Sequence, residues 1–448
     1  MKNLEIKNTL ALLTEDIAVL YFYNLELIDN VIYKKLNLVK NILDKDDGFR
    51  KKLIKSLLVN FKKVRENALK MSYKDQGFEL QAHIQISLYS LIKKLAEYMD
   101  CVDDEINQLI ESQDDWLIAT GFELLNGSDS PPRNALIQRT FQIMSDNIPN
   151  TTPHDSLAKW LDKDARLFDE IVARFDSENI YFQKGVLYSF HIAKKLTIEA
   201  ESLVLRVLQD IHHKARESAI LPAGKCFHLR DEAITLLLKE IENDKWYNRA
   251  DAATAFAALK VSDISIINKI IGLFGDIEGH DWSAEESAIE ALGNLGKLAR
   301  PCISDILELL KKELVEKDGE HNILYICETL SKIDDGTESV INALINVVDK
   351  CETVAVTSAL RALGKFGEKS KGVLPCLDKY IYDDEFLEGD FMVDDVAEIN
   401  FFKSLYKIAG ADSPRVKVYL KNLKSSPIAD ERKFANDFEK GILLKIES

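Results

Sequence analysis

Five short runs of small and apolar residues punctuate the second half of this chain at nearly even intervals. They are Ala255-Phe256-Ala257-x-Leu259, Ala291-Leu292-Gly293-x-Leu295, Thr329-Leu330-Ser331-x-Ile333, Ala362-Leu363-Gly364-x-Phe366 and Ser404-Leu405-Tyr406-x-Ile408. The central apolar residues stand 36, 38, 33 and 42 positions apart. An interval of this size fits one helical hairpin, and stacked hairpins bury on each other the apolar flanks that none can hide alone. The spacing therefore predicts an α-solenoid, clearest over residues 215–410, with a long surface for binding and no chemistry of its own. Ala219-Ile220-Leu221-x-Ala223 lies 36 residues before the Phe256 cassette, so the array is expected to start earlier in a less regular form.

Composition agrees with an all-α reading. The chain has 19 Gly and 9 Pro in 448 residues, roughly 4% and 2% against usual levels near 7% and 5%, so its turns are few and short. With 46% hydrophobic residues it has ample material for a continuous core. The apolar stretch Ile17 to Tyr23 is far too short for a bilayer span, and Glu5, Lys7, Glu15 and Asp16 interrupt the region before it, so no membrane association is expected. The six cysteines include no C-x-x-C pair, which fits a reducing cytoplasm better than a disulfide framework. Cys302 and Cys376 each follow a proline near the start of an expected helix two repeats apart, and read as packed small residues.

Residues 1–125 read as an N-terminal helical domain. A long helix is expected from about Phe49 to Met71, with Leu53, Ile54, Leu57, Leu58, Phe61, Val64 and Ala68 on one arc and Lys51, Lys52, Lys55, Lys62, Lys63 and Lys70 opposite. Proline and asparagine clusters at 126–132 and 147–153 bracket a short helix and suggest a loop-rich boundary over 126–156. Helices are expected at about 155–175, 184–197, 200–213, 216–224 and 231–242. The stretch Glu178 to Gln183 then falls between two of them. The solenoid is expected to extend over 157–423, and residues 424–448 are expected to supply a C-terminal capping helix that covers the last apolar face.

Charge is distributed unevenly. The net −16 argues against non-specific nucleic-acid binding by the whole surface, since phosphate affinity rests on cations. Residues 34–74 nevertheless hold 13 Lys or Arg against 4 acids, whereas 95–132 hold 10 acids and no base. The Lys-rich face thus has three readings: a solvated solenoid face, a contact with an acidic protein or with the acidic block of this chain, or a phosphate-binding face for an anionic ligand.

Ser287-Ala-Ile-Glu-Ala-Leu-Gly-Asn-Leu-Gly-Lys-Leu-Ala-Arg-Pro301 and Ser358-Ala-Leu-Arg-Ala-Leu-Gly-Lys-Phe-Gly367 resemble HEAT repeats. The resemblance is clear over residues 215–423, extends in weaker form over 155–423, and does not reach the N-terminal third. It implies a right-handed α-solenoid of HEAT-like hairpins, in which Gly296 and Gly367 end helices in a left-handed conformation. It also implies a scaffold or adaptor role. Among catalytic relatives of such repeats, deoxyhypusine hydroxylase-like proteins need His-Glu pairs, and no His here is followed by Glu. Alkylpurine glycosylase-like proteins need a cationic groove, whereas the repeats are acidic overall. Nothing points to the tetrapyrrole of bilin lyase-like proteins.

Other constellations each admit a plain structural role. Gly293-Asn-Leu-Gly296-Lys297 lacks the spacing and the preceding strand of a phosphate loop. His212, His213, Cys226 and His228 carry ligand atoms suited to zinc, in a spacing that matches no common module. Trp246 and Trp282, 36 residues apart, each precede an expected helix and read either as binding anchors on one edge or as staples for their helices. Residues 383–398 hold eight acids and no base. Asp383, Asp384, Glu385, Phe386, Glu388, Asp390, Phe391, Asp394 and Asp395 there suit docking of a basic protein surface, or simply cover the next repeat.

No catalytic, cofactor or metal site is assigned. The sequence leads to the expectation of a non-enzymatic HEAT-repeat scaffold or adaptor that binds a protein partner with a basic surface, one specific form being an inhibitor or immunity-like protein masking a basic effector. The alternative is a nucleic-acid-associated HEAT-like protein, with or without an enzymatic activity, using the basic N-terminal helices.

Overall fold

The computed structural model describes residues 36–68, 70, 103–127, 134–147, 152–277, 283–315, 320–351, 354–382, 397–426 and 428–440. No strand occurs among them. The chain divides into two compact units, Met1–Pro222 and Ala223–Ser448.

The first unit comprises α1 (Leu36–Lys45), α2 (Asp47–Ala68), α3 (Asp103–Ile110), α4 (Asp115–Gly127), α5 (Asn134–Asp146), α6 (Pro153–Leu161), α7 (Arg166–Arg174), α8 (Ile180–Ile192) and α9 (Ile198–Gln209). The single helix expected over 155–175 is two helices. Asp164 breaks it: its carboxylate accepts the Arg166 backbone N–H at 3.1 Å and the Arg166 guanidinium at 2.9 and 2.8 Å, closing a turn between α6 and α7. The stretch from Glu178 to Gln183 is no linker, because Asn179 caps α8 by accepting the Tyr181 and Phe182 N–H groups at 3.0 and 3.1 Å. That cap starts the helix at Ile180 rather than near 184.

A repeat-length layering extends into this unit in polar contacts. Gln138 bonds Glu170 at 2.9 Å, Asn179 bonds the Ser145 carbonyl at 2.9 Å, Lys194 N–H bonds Asp162 at 2.8 Å and Arg206 pairs with Asp176 at 3.0 Å. These partners are 30 to 34 residues apart, close to the period of the later cassettes.

The second unit alternates two layers. One layer contains α10 (Arg230–Glu240), α12 (Ile264–Ile271), α14 (Ile303–Glu313), α16 (Glu338–Lys350), α18 (Leu374–Tyr382) and α20 (Pro414–Ser425). The other holds the cassettes: α11 (Trp246–Ala258), α13 (Ala284–Leu295), α15 (Glu320–Ile333), α17 (Val354–Phe366) and α19 (Ala397–Ala409). The first layer is amphipathic, as Val340, Ile341, Leu344, Val347 and Val348 on α16 show by their burial at helical spacing. Phe256, Leu292, Leu330, Leu363 and Leu405 are buried to within 1%, each contributing about 1.5–3 kcal/mol of apolar transfer free energy.

At two of these helix pairs the glycine after the central apolar residue faces the small residue before it on the next helix. A Cβ on Gly293 would stand 2.7 Å from Thr329 Oγ1, and one on Gly364 would stand 3.1 Å from the Ser404 Cα and Cβ. Consecutive cassette helices therefore approach along their backbones, whereas helices of the other layer touch more sparsely. The cassette layer is the closely spaced side of this unit.

Gly296 and Gly367 take positive φ of +59° and +60° at the helix ends, Gly296 with ψ of −131° rather than the αL value. Gly336, Gly410 and Lys260 also have positive φ near the ends of their cassette helices, Lys260 being the repeat in which a side chain occupies the left-handed position. Ser283 and Glu286 form a capping box on α13, with Glu286 N–H donating to Ser283 Oγ and Ser283 N–H donating to Glu286 Oε2. Beyond α20, α21 (Ala429–Glu439) sets the Phe434 and Phe438 rings edge-on to Phe402, at 5.8 and 4.9 Å. The second unit is thus an α-solenoid of HEAT-like hairpins.

Candidate protein-interaction face

The cassette register fixes which side chains reach solvent from the closely spaced layer. Positions two before and two after the central apolar residue turn outward on every helix, giving two columns. One runs Thr254, Glu290, Glu328, Arg361, Lys403, and the other Ala258, Asn294, Lys332, Lys365, Lys407; all are half-buried or exposed. The first column passes from neutral, through acidic, to cationic, and the second from neutral directly to cationic.

The electrostatics follow that order. Burial pushes the Glu290 carboxyl up; Lys332 opposes the shift, and Glu328 and Glu286 add to it. Tyr325, one helical turn before Glu328, is pushed up by burial and by Glu286, Glu290 and Glu328. Farther along, partial burial pushes the Lys365 ammonium down, Lys332, Arg361 and Lys407 repel its proton, and only Glu328 favours it. Arg361 bonds Glu328 at 3.3 Å and Lys365 bonds Ser331 Oγ at 2.9 Å, so neighbouring helices are joined across this face. Asp251 on α11 is pushed up to about 6 by burial.

Of the residues singled out from sequence, Trp246 opens α11, half-buried, with its ring edge-on to the exposed Tyr247 at 5.8 Å. Trp282 lies outside the described residues, as do Asp383, Asp384, Glu385, Phe386, Glu388, Asp390, Phe391, Asp394 and Asp395. The apolar arc of α2 is buried at Leu53, Ile54, Leu57, Leu58, Phe61 and Val64. On its opposite side, Lys51, Lys52, Lys55, Lys63 and Lys70 are exposed and Lys62 is half-buried. Part of this charge meets the acidic block: Lys55 pairs with Glu105 at 2.6 Å and Arg65 with Asp114 at 3.2 Å, while Lys51 pairs with Asp47 at 3.0 Å. Trp116 completes the contact, its ring 5.0 Å from Phe61 and 5.2 Å below the Arg65 guanidinium.

The Gly293–Lys297 stretch lies at the C-terminal end of α13, where carbonyls project, so its backbone polarity is wrong for phosphate. His213 Nδ1 accepts the Ala215 N–H at 3.1 Å and Cys226 is buried. Among the described residues no three His, Cys, Asp or Glu side chains converge as metal ligands would, and no helix is long and apolar enough to cross a membrane. The two columns escaped sequence reading, although their signal was present: aligning the cassettes places Glu290, Glu328, Arg361 and Lys403 at one register.

No family model matches the chain, and no curated protein matches it in sequence. Among solved structures, Kap121p aligns with 96% of this chain and 53% of its own, at 12% identity and a TM-score of 0.44. Kap121p bound to Nup53p gives the same values. Kap95p, in a structure concerned with RanGDP and nuclear import complex assembly, aligns with 93% of this chain and 60% of its own, at 12% identity and a TM-score of 0.45. The chain thus spans about half the length of these karyopherin structures. What classifies the second unit is its own geometry: repeated hairpins, small-residue contacts between cassette helices and positive-φ glycines at their ends make it a solenoid of HEAT-like hairpins.

Proposed function

We propose that this chain is a non-enzymatic scaffold that binds a protein partner along the exposed face of its cassette helices. One observation carries the reading. Side chains at two fixed register positions form continuous columns on successive helices, and their charge changes in order along the stack. Such a surface offers many weak, ordered contacts to an extended partner, with charge setting its direction and the fixed helix spacing setting its register.

The expected acidic loop and the two tryptophans belong to this proposal as additional contacts. A basic partner surface and an inhibitor or immunity-like role rest on that loop and on the net −16, and a cytoplasmic location rests on six cysteines without a C-x-x-C pair. Exchange of Asp383, Asp384, Asp394 and Asp395 for Lys should then remove a basic partner; retained binding refutes the loop's part in it. Nucleic-acid binding through α2 is less favoured, because Lys55 and Arg65 already engage carboxylates within the unit.

The main test is site-directed photo-crosslinking in cells. A crosslinking residue at Asn294 or Lys365, on the closely spaced face, should yield adducts to the same protein. The same residue at Ser304 or Asn342, exposed on the other layer, should not. Adducts confined to the other layer would refute the assignment of the face.

A further inference from the structure

Lys332, Arg361, Lys365, Lys403 and Lys407 bring five cations onto three successive helices, α15, α17 and α19, of a chain whose net charge is −16. Their positions follow from the cassette register, so they lie along one face rather than scattered over the surface. Lys332, Arg361 and Lys407 are all near enough to Lys365 to act on its proton. Like charges crowded in this way repel one another, and that repulsion is relieved when an anion is bound. The concentration stops abruptly: Glu328 pairs with Arg361, and Glu290 and Glu286 occupy the next helix.

We propose that this cationic stretch is the docking site for a short acidic segment of a protein partner, lying extended across α15, α17 and α19. The proposal rests on the protein-binding reading above and names the chemistry of one part of the partner. Helices packed about 8–10 Å apart place the outermost cations roughly 20 Å apart, a span of about six extended residues. Carboxylates at alternate positions of such a segment point to one side and can pair with these cations. Length is what distinguishes a peptide from a nucleic acid here. A polynucleotide carries a phosphate at every unit and would run on over Glu328, Glu290 and Glu286, whereas a short acidic peptide ends before them. The remaining net negative charge of the chain disfavours long polyanions further.

The experiment uses the full chain and a fluorescein-labelled twelve-residue peptide with Glu at alternate positions, read by fluorescence anisotropy at low and moderate salt. The peptide should bind, and the same peptide with Gln for Glu should not. The double variant Arg361→Gln/Lys365→Gln should weaken binding by about tenfold or more, and a second variant, Lys332→Gln/Lys407→Gln, should do the same. Circular dichroism should show unchanged helix content in at least one of the two. Lys52→Gln/Lys63→Gln should leave binding within about twofold, and Glu328→Gln should strengthen it, because it removes a competing carboxylate. Absence of peptide binding overturns the proposal, as does equal binding by the folded variants. Equal affinity for single-stranded DNA of the same length overturns it as well. If crosslinking at Asn294 and Lys365 still captures one protein while the acidic peptide fails, this proposal falls and the broader scaffold reading stands.

Discussion

Gly293 on α13 offers a sharp test of how the cassette helices are held together. Replacing it with Ala should stabilise an isolated helix by about 1 kcal/mol, because Ala loses less backbone entropy than Gly. In the stack the new Cβ would lie 2.7 Å from Thr329 Oγ1 and 3.3 Å from Thr329 Cα. Thr329 is 1% exposed and its hydroxyl donates to the Ile289 carbonyl at 2.9 Å, so it cannot swing into solvent. Moving the helices apart costs about 1–3 kcal/mol as overpacking, and stranding the buried hydroxyl costs about 1–3 kcal/mol more. The balance is destabilising at both extremes, by between about 1 and 5 kcal/mol. Urea unfolding followed at 222 nm, with amide exchange on the peptide spanning α13, measures it. In Gly293→Ala/Thr329→Ala the nearest obstruction is gone, so the two changes should couple favourably by more than about 0.5 kcal/mol. If Gly293→Ala is as stable as the parent, or if the double variant shows no coupling, close backbone approach does not set the spacing of this array.

Three further outcomes can be measured. Burial raises the Asp251 carboxyl to about 6 from an unfolded value near 3.8, so between roughly pH 4 and 6 the native chain holds more protons and stability falls as pH rises. Asp251→Asn removes that penalty, and its melting-temperature gain over the parent should be larger at pH 7.5 than at pH 4. Arg249 grips Asp276 at 2.5 and 2.9 Å and the Asn243 and Asp244 carbonyls at 2.8 Å, and Arg249→Met should cost about 2–4 kcal/mol in denaturant unfolding. Asn179→Ala removes the acceptor for two N–H groups of α8 and should cost about 1 kcal/mol, with faster amide exchange in the first turn of that helix.

The solenoid of the second unit was legible because its defining constraint falls on residue size. Where helices touch at Gly293 and Thr329, or at Gly364 and Ser404, anything bulky is excluded, and that exclusion leaves a period in the sequence. The layering of the first unit left no such trace. Its repeat-length contacts are chemically mixed, polar between Gln138 and Glu170 or Asn179 and Ser145 and aromatic between His154 and Tyr188, so no single residue class recurs at a fixed interval. The break at Asp164 and the cap at Asn179 were missed for a related reason: a single Asx interaction decides each boundary, while hydrophobic periodicity runs past it. The contact of Lys55 and Arg65 with Glu105 and Asp114 was one of three open readings, and only geometry could choose among them. The charged columns were readable in principle, but they emerge only when surface positions are compared across cassettes instead of along a helix.

The division of labour within each cassette helix has a lasting consequence. Spacing along the stack is ruled by buried Gly, Ala, Ser and Thr, whereas the outward rungs at Glu290, Glu328, Arg361 and Lys403 take little part in setting it. The ruler and its markings are therefore separate. Rungs can be relabelled one at a time to suit a different guest, while the distance between them stays fixed by atoms the guest never meets.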